Sequence, residues 1–453
     1  MLDLPFLARA PRRPPAASDW TTQIVSARTG LARNVSLVSV PSSDPDVWLV
    51  AAEPAKGAPL GARSSRDSCG GAGLSFDAAK RAALGELVEG YCATLFRREH
   101  FLVGCFDDLS ARCPLVSPDR FALYSDEQYR SPAFPFARFD SSSVVAWVRG
   151  HSLVSEQEAY VPASNVYMPY TRTRSEVDIG PIISTGLAAG PNLVAATLSA
   201  IYECIERDAF TIFWLNRSRV RVLDLEGSSD SHVLDTFRGR LSKPGHAYSL
   251  YEITSDLGVP TVLAVLASDT PNGTVYSIGA ACRLDGLKAV EKALIEAVQG
   301  KSYVIHLLSQ APGWQPKPDF SDVTSFEMTA KLYSAVPRFA DELADIGRRA
   351  TAVVPLEALP SPRTSPSEQL AALAQIFRAR GYELVRVDIT TRDVEELGLK
   401  VVRVVAPELQ KLHAHHLYPF LGGRRVYDVP VRLEQQRKPK LAAEFNPLPH
   451  PFP

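Results

Sequence analysis

Two glutamates spaced three residues apart occur twice on segments that otherwise read as apolar helix. Glu86 and Glu89 sit in Ala82-Ala83-Leu84-Gly85-Glu86-Leu87-Val88-Glu89, and Glu203 and Glu206 in Leu198-Ser199-Ala200-Ile201-Tyr202-Glu203-Cys204-Ile205-Glu206. Residues three apart share a helix face, so each pair aims both carboxylates one way. A buried carboxylate must be paired, hydrogen-bonded or metal-bound, or else take up a proton. A third apolar segment, Gly286 to Gln299, repeats the spacing with Glu296 and Gln299. Such acids call for cations, and Mg²⁺ carried in with a nucleotide is the simplest source, because it takes oxygen ligands from a few carboxylates, phosphates and water. The first two helices follow glycine-rich stretches, Ser68 to Gly73 and Ser184 to Gly190. These read as loops whose exposed N–H groups, with the helix dipole, suit phosphate. One Glu-x-x-Glu alone is commonly a solvated helix face; three matched helices favour a site.

The rest of the composition narrows the class. The chain has 453 residues, room for a large core, and a net charge of −1 with signs interspersed. It therefore lacks the basic footprint of a nucleic-acid or anionic-membrane binder. Neither a signal peptide nor a membrane-spanning run is evident, and the chain reads as soluble and cytoplasmic. Six cysteines show no Cys-x-x-Cys pair and read as reduced and packed, Cys69 included. His413-Ala414-His415-His416 has no companion acid or cysteine at ligand spacing, so exposed imidazoles in a loop or helix end are expected rather than zinc.

Around the motifs, residues 1 to about 20 are rich in Pro, Arg and Ala and read as a flexible lead. Strands are predicted over Val35–Val40 and Val47–Ala52, over short stretches between 100 and 180, and over Ala247–Ile253, Thr261–Leu266 and Val275–Ala281. From Ser365 a helix, a Gly381 stop, a strand, a short acidic helix and a further strand form an αβαβ run. The expected class is α/β, of mixed α+β character, with apolar helices packed on mixed β-sheets.

The series Ser68-x-Gly70-Gly71-x-Gly73, Glu86-x-x-Glu89, Gly186-x-x-x-Gly190, Ser199-x-x-x-Glu203-x-x-Glu206-Arg207 and Glu296-x-x-Gln299 resembles the YcaO family. Within it the chain is most similar to SagD-like azoline-forming cyclodehydratases, whose mark is a proline-rich tail such as Asn446-Pro447-Leu448-Pro449-His450-Pro451-Phe452-Pro453. Alternating prolines make a stiff, extended arm. The resemblance implies three parts: residues 1–60 as an N-terminal extension with the first strands, 61–440 as the YcaO domain, and 441–453 as a tail reaching the active site. It implies that a Cys, Ser or Thr of a ribosomally made precursor peptide attacks the preceding amide carbonyl. ATP would then phosphorylate the amide oxygen, and loss of phosphate would leave a thiazoline or oxazoline.

Carried over by position, Glu86, Glu89, Glu203 and Glu206 would hold Mg²⁺, Ser68, Ser199, Arg207 and Gln299 would contact the nucleotide, and the carboxylate of Pro453 would serve as general base. Asp208 stays outside the site, as a partner of Arg207 or a surface acid. The chain departs from the family pattern with Ala72, Ala83, Gly90 and Thr185, and with no arginine close after Gln299, where Lys301 is the candidate replacement. Implied partners are the precursor peptide and a leader-binding protein, with a flavin-dependent azoline dehydrogenase and a homodimer as further candidates. The alternatives are thioamide or amidine formation by the same activation, and a non-catalytic nucleotide-binding scaffold.

Overall fold

Three helices each bury an apolar face, and the fold is arranged around them. They are α1 (Phe76–Thr94), α2 (Leu193–Asn216) and α3 (Gly286–Gln310). Each begins at a side-chain cap that accepts from a first-turn N–H: Ser75 from Ala78, Asn192 from Ala195 and Asp285 from Lys288, satisfying a donor that the helix itself leaves open. Most residues of α2 are buried, as expected of a helix apolar on nearly all sides. The computed structural model describes residues 19–55, 68–229 and 231–452; the predicted flexible lead to residue 18 lies outside them.

The strands form three sheets. In the first, β1 (Ala32–Leu37), β2 (Trp48–Pro54) and β3 (Cys69–Gly73) run antiparallel. The second contains β4 (Leu102–Gly104), β5 (Val145–Ser152), β6 (Glu158–Pro162) and β7 (Leu187–Gly190). The third contains β8 (Val220–Asp224), β9 (His246–Glu252), β10 (Thr261–Thr270), β11 (Gly273–Cys282) and β12 (Ala350–Pro355), in the order β11-β10-β9-β8-β12 with β12 parallel to β8. Strands β13 (Val385–Asp388) and β14 (Lys400–Val405) complete the second sheet as β4-β5-β13-β14-β7, with β6 beside β5. The predicted αβαβ run is present as helix Pro366–Ala379, β13, helix Arg392–Glu396 and β14.

The glycine-rich stretches are strands, contrary to the loop expectation. Cys69–Gly73 is β3 and Leu187–Gly190 is β7. The glycines serve close packing of helix on strand: a Cβ at Gly71 would stand 2.3 Å from the backbone of Ala79 and Ala83 in α1, and one at Gly279 2.2 Å from the carbonyl of Ala293 in α3. Three strand–helix units result, β3–α1, β7–α2 and β11–α3. Each helix packs on its own strand and also on the next unit's: α1 touches β7, α2 touches β11 and α3 touches β3. The units therefore close on one another as a ring.

One ionic network ties α2 to the later chain. Arg425 donates to both Asp208 oxygens at 2.7 and 2.6 Å and to Asp256 at 2.8 Å, and Gln410 N–H donates to Asp208 at 2.7 Å. Asp208 and Arg425 are buried. Asp208 is thus neither a partner of Arg207 nor a surface acid. Removing one member of a buried ion pair leaves the other charge uncompensated. Arg425→Met should accordingly lower unfolding free energy by about 4 kcal/mol in denaturant titration, while Arg432→Met, whose guanidinium is half exposed at 3.0 Å from the same Asp256, should cost under about 1 kcal/mol.

Candidate active site

Backbone N–H groups of the strands are spent on the motif glutamates. Glu86 accepts from Gly70 N–H of β3 at 3.0 Å, Glu203 from Gly186 N–H just before β7 at 2.8 Å, and Glu89 from Ala189 N–H of β7 at 2.8 Å. The first glutamate of a pair is thus held by its own unit's strand, whereas Glu89 crosses to the next unit. Gln299, in the equivalent place on α3, crosses likewise: a Cβ on Gly70 would stand 3.1 Å from its Nε2. The phosphate cradle expected from these glycine N–H groups is therefore not available in that form, because at Gly70 and Gly186 carboxylates occupy it.

Between β3 and α3 lies a cavity of about 490 Å³, lined by Gly70, Gly71, Ala72, Glu86, Lys288, Glu291, Lys292, Glu296 and Gln299 among others. Its volume lies in the range of small-molecule and cofactor sites. Lys292 and Glu296 pair at 2.8 Å on its wall. On α2, Arg207 pairs with Glu203 at 2.7 Å and donates to Thr185 Oγ1 at 2.8 Å, while its Nε is buried without a partner.

Glu206 is 6% exposed and makes no ion pair among the described residues. Burial first, and then the charges of Glu296 and Glu203, push its carboxyl up to about 8, with Lys292 and Arg207 pulling the other way. A buried acid crowded by two others is short of positive charge, so the donor set fits a hard divalent cation and the phosphates that accompany it. Among the described residues no three acids, histidines or cysteines already converge as a ready-made metal cluster.

The predicted residues are thus distributed. Glu86 and Gln299 line the cavity with Glu296; Glu203, Glu206 and Arg207 form an adjoining group on α2; Glu89 is bound to β7. Ser68 and Ser199 are exposed, one preceding β3 and the other one turn before Glu203. Pro453 lies outside the described residues. Lys301 does not line the cavity: its ammonium is buried on Asp44 at 2.5 Å, and the cations on the cavity wall are Lys288 and Lys292. The spacing of Lys288, Lys292, Glu296 and Gln299 along one helix face was the signal for this. His413 is buried rather than exposed, and its neighbour His416 is held down to about 4 by burial.

The proline-rich tail runs along α2 in regular contact. Leu215 O accepts from Asn446 N–H at 2.7 Å, Trp214 Nε1 donates to Leu448 O at 3.0 Å, Tyr333 donates to Pro449 O, and Thr329 donates to Phe452 O at 2.9 Å. Phe452 packs edge-on against Phe210 at 4.9 Å, with the Arg207 guanidinium 5.8 Å from its ring centre.

A family model described as YcaO cyclodehydratase, ATP- and Mg²⁺-binding, matches residues 70–410. The chain belongs to the YcaO family. An uncharacterized protein of Methanothermobacter thermautotrophicus is 27% identical over 295 residues, covering 63% of this chain and 70% of that protein. Among solved structures, a heterocyclase in complex with substrate and cofactor superposes with a TM-score of 0.75 at 23% identity, over 95% of this chain and 56% of that one. This YcaO chain therefore spans little more than half the length of that heterocyclase. The YcaO of Methanopyrus kandleri bound with AMPPCP and Mg²⁺ matches with a TM-score of 0.58 at 20% identity, over 86% of this chain and 90% of that one. At these identities the likeness establishes the mixed α/β fold. No helix among the described residues is long and apolar enough to cross a membrane.

The raised Glu206 carboxyl has a measurable consequence. Folded, the carboxyl keeps its proton up to about 8, whereas the unfolded chain gives it up near 4.5, so the ligand-free protein should lose stability progressively as pH rises from about 4.5 to about 8 and level off above that. Binding of Mg²⁺ with a nucleotide at pH 7 should release close to one proton, read by calorimetry in buffers of different ionisation enthalpy. Glu206→Gln should abolish that release.

Proposed function

We propose that this chain is the ATP-dependent catalytic component of a peptide cyclodehydratase, closing thiazoline or oxazoline rings at Cys, Ser or Thr of a ribosomally made precursor. The observation that carries the reading is the juxtaposition of a nucleotide-sized cavity, a buried acid cluster short of positive charge, and an arginine held between Glu203 and Thr185. Bound ATP with Mg²⁺ would supply the phosphoryl group that turns the substrate's amide oxygen into a leaving group.

The chain's own residues do the positioning and the charge balancing. Glu203, Glu206, Glu86 and Glu296 face the metal side, with Glu89 setting α1 against β7. Lys292 and Gln299 serve the phosphate and nucleotide side of the cavity. Arg207, fixed by two partners and covered by Phe452 of the tail, neutralises charge that builds during phosphoryl transfer; such preorganised donors matter more in a water-poor site than in solution. Support also comes from the solved structures, where one similar protein binds AMPPCP and Mg²⁺ and another holds substrate and cofactor. We further assign leader recognition to a partner protein and any azoline oxidation to a further enzyme.

Mass spectrometry of a Cys/Ser/Thr-rich precursor incubated with the chain, its partner, ATP and Mg²⁺ should show ATP-dependent loss of one water per ring. Glu203→Gln and Glu206→Gln should each slow that loss by at least about 100-fold. ATP consumption without loss of water at any Cys, Ser or Thr would overturn the cyclodehydratase reading, and full activity of both variants would favour a scaffold.

A further inference from the structure

A second, smaller cavity of about 40 Å³ lies behind Thr185, lined by Asn165, Thr185, Arg403, Gln410 and Lys411 among others. A water needs roughly 10–15 Å³ measured this way, so the space suits a few waters or one small oxyanion. Its polar groups are unusual. Lys411 lies 5.8 Å from the ring centres of both Phe121 and Phe420, and among the described residues it has no carboxylate partner. Arg403 is 2% exposed; its guanidinium donates to the carbonyls of Asn165 at 2.8 Å, of Ser184 at 2.5 Å and of Ile183, which fix its position without cancelling its charge. Asn165 Nδ2 and Gln410 Oε1 are buried with no hydrogen-bond partner, and Gln410 is 1% exposed.

Two cations without a carboxylate of their own in the cavity ask for an anion there, since burying unpaired positive charge is costly. Burial and the charge of Arg403 accordingly lower the Lys411 ammonium to about 8. The orphaned groups define the anion further. Lys411 and Asn165 are donors, whereas Gln410 Oε1 is an acceptor and needs a proton from the ligand. Hydrogenphosphate offers both acceptor oxygens and one P–OH; sulfate at neutral pH has no proton to give. Thr185 joins the cavity to the site, because its hydroxyl accepts from Arg207 and keeps its own proton to donate.

We propose that this cavity is a hydrogenphosphate-binding subsite, with Lys411 as its charged donor, that receives the phosphate released by the reaction. The product role rests on the cyclodehydratase reading; the binding site does not. Phosphate would pass from the Arg207 side across Thr185 and be held until it leaves, while ADP remains in the larger cavity.

Calorimetric titration of the full chain with inorganic phosphate at pH 7 and constant ionic strength tests this, with sulfate in parallel and with ADP and Mg²⁺ saturating in a second series. Phosphate should bind in both series, and sulfate at least tenfold more weakly. Lys411→Met and Asn165→Asp should each weaken phosphate at least tenfold while leaving ADP binding unchanged. Lys411→Met removes an unpaired, partly buried charge, so its melting temperature without phosphate should not fall. Undiminished phosphate binding by Lys411→Met, displacement of phosphate by ADP, or sulfate binding as tightly as phosphate would overturn the subsite. Lys411-dependent phosphate binding in a chain that turns over no ATP with partner and peptide present would retain the site and remove its product role.

Discussion

Negative charge on apolar helices is the constraint around which this molecule is built. A carboxylate surrounded by alanine, leucine and valine has few ways to remain charged, and one of them is used three times. Glu86, Glu89 and Glu203 take strand N–H donors, which forces each helix down onto a strand edge and explains why glycine, with no Cβ to hold them apart, lines the contact at Gly71. Among the described residues Glu206 has no such donor and is left to its acidic neighbours. The fold thus separates acids that hold the scaffold together from one that awaits a cation.

Most of the scaffold was legible in the residues. The repeated Glu-x-x-Glu spacing located α1 and α2, the Glu296/Gln299 echo located α3, and the αβαβ run near the C-terminal part was read with its strands in place. The glycine stretches were misread because glycine marks both a turn and a strand that something approaches closely. Local sequence does not distinguish these cases; only the helix lying on Gly71 does. The same limit applies to Lys301 and His413. Each is polar and three-dimensionally enclosed, Lys301 by an aspartate 257 positions away at Asp44 and His413 by His450 of the tail, and such pairings leave no mark in a local window.

The tail illustrates a further division between what composition can and cannot say. Alternating prolines announced a stiff, extended segment. Its destination is fixed by the groups between them: Leu448 and Pro449 carbonyls meet Trp214 and Tyr333, and Phe452 fills a gap beside Phe210. Proline supplies no N–H to satisfy, so a buried extended segment rich in it needs partners mainly for its carbonyls. Side chains of α2 and of helix Phe326–Ala335, with Thr329 and Tyr333, provide them.

The ring of strand–helix units also sets how the protein comes into being. The large cavity sits at the seam where β3, made early, meets α3, made more than two hundred residues later. Contacts of such sequence separation are slow to form, because chain entropy must be lost before they repay it. No fragment lacking either the first or the third unit can possess that cavity. Whatever binds there selects chains in which the first and third units have met, so occupancy fastens the seam that local folding reaches last.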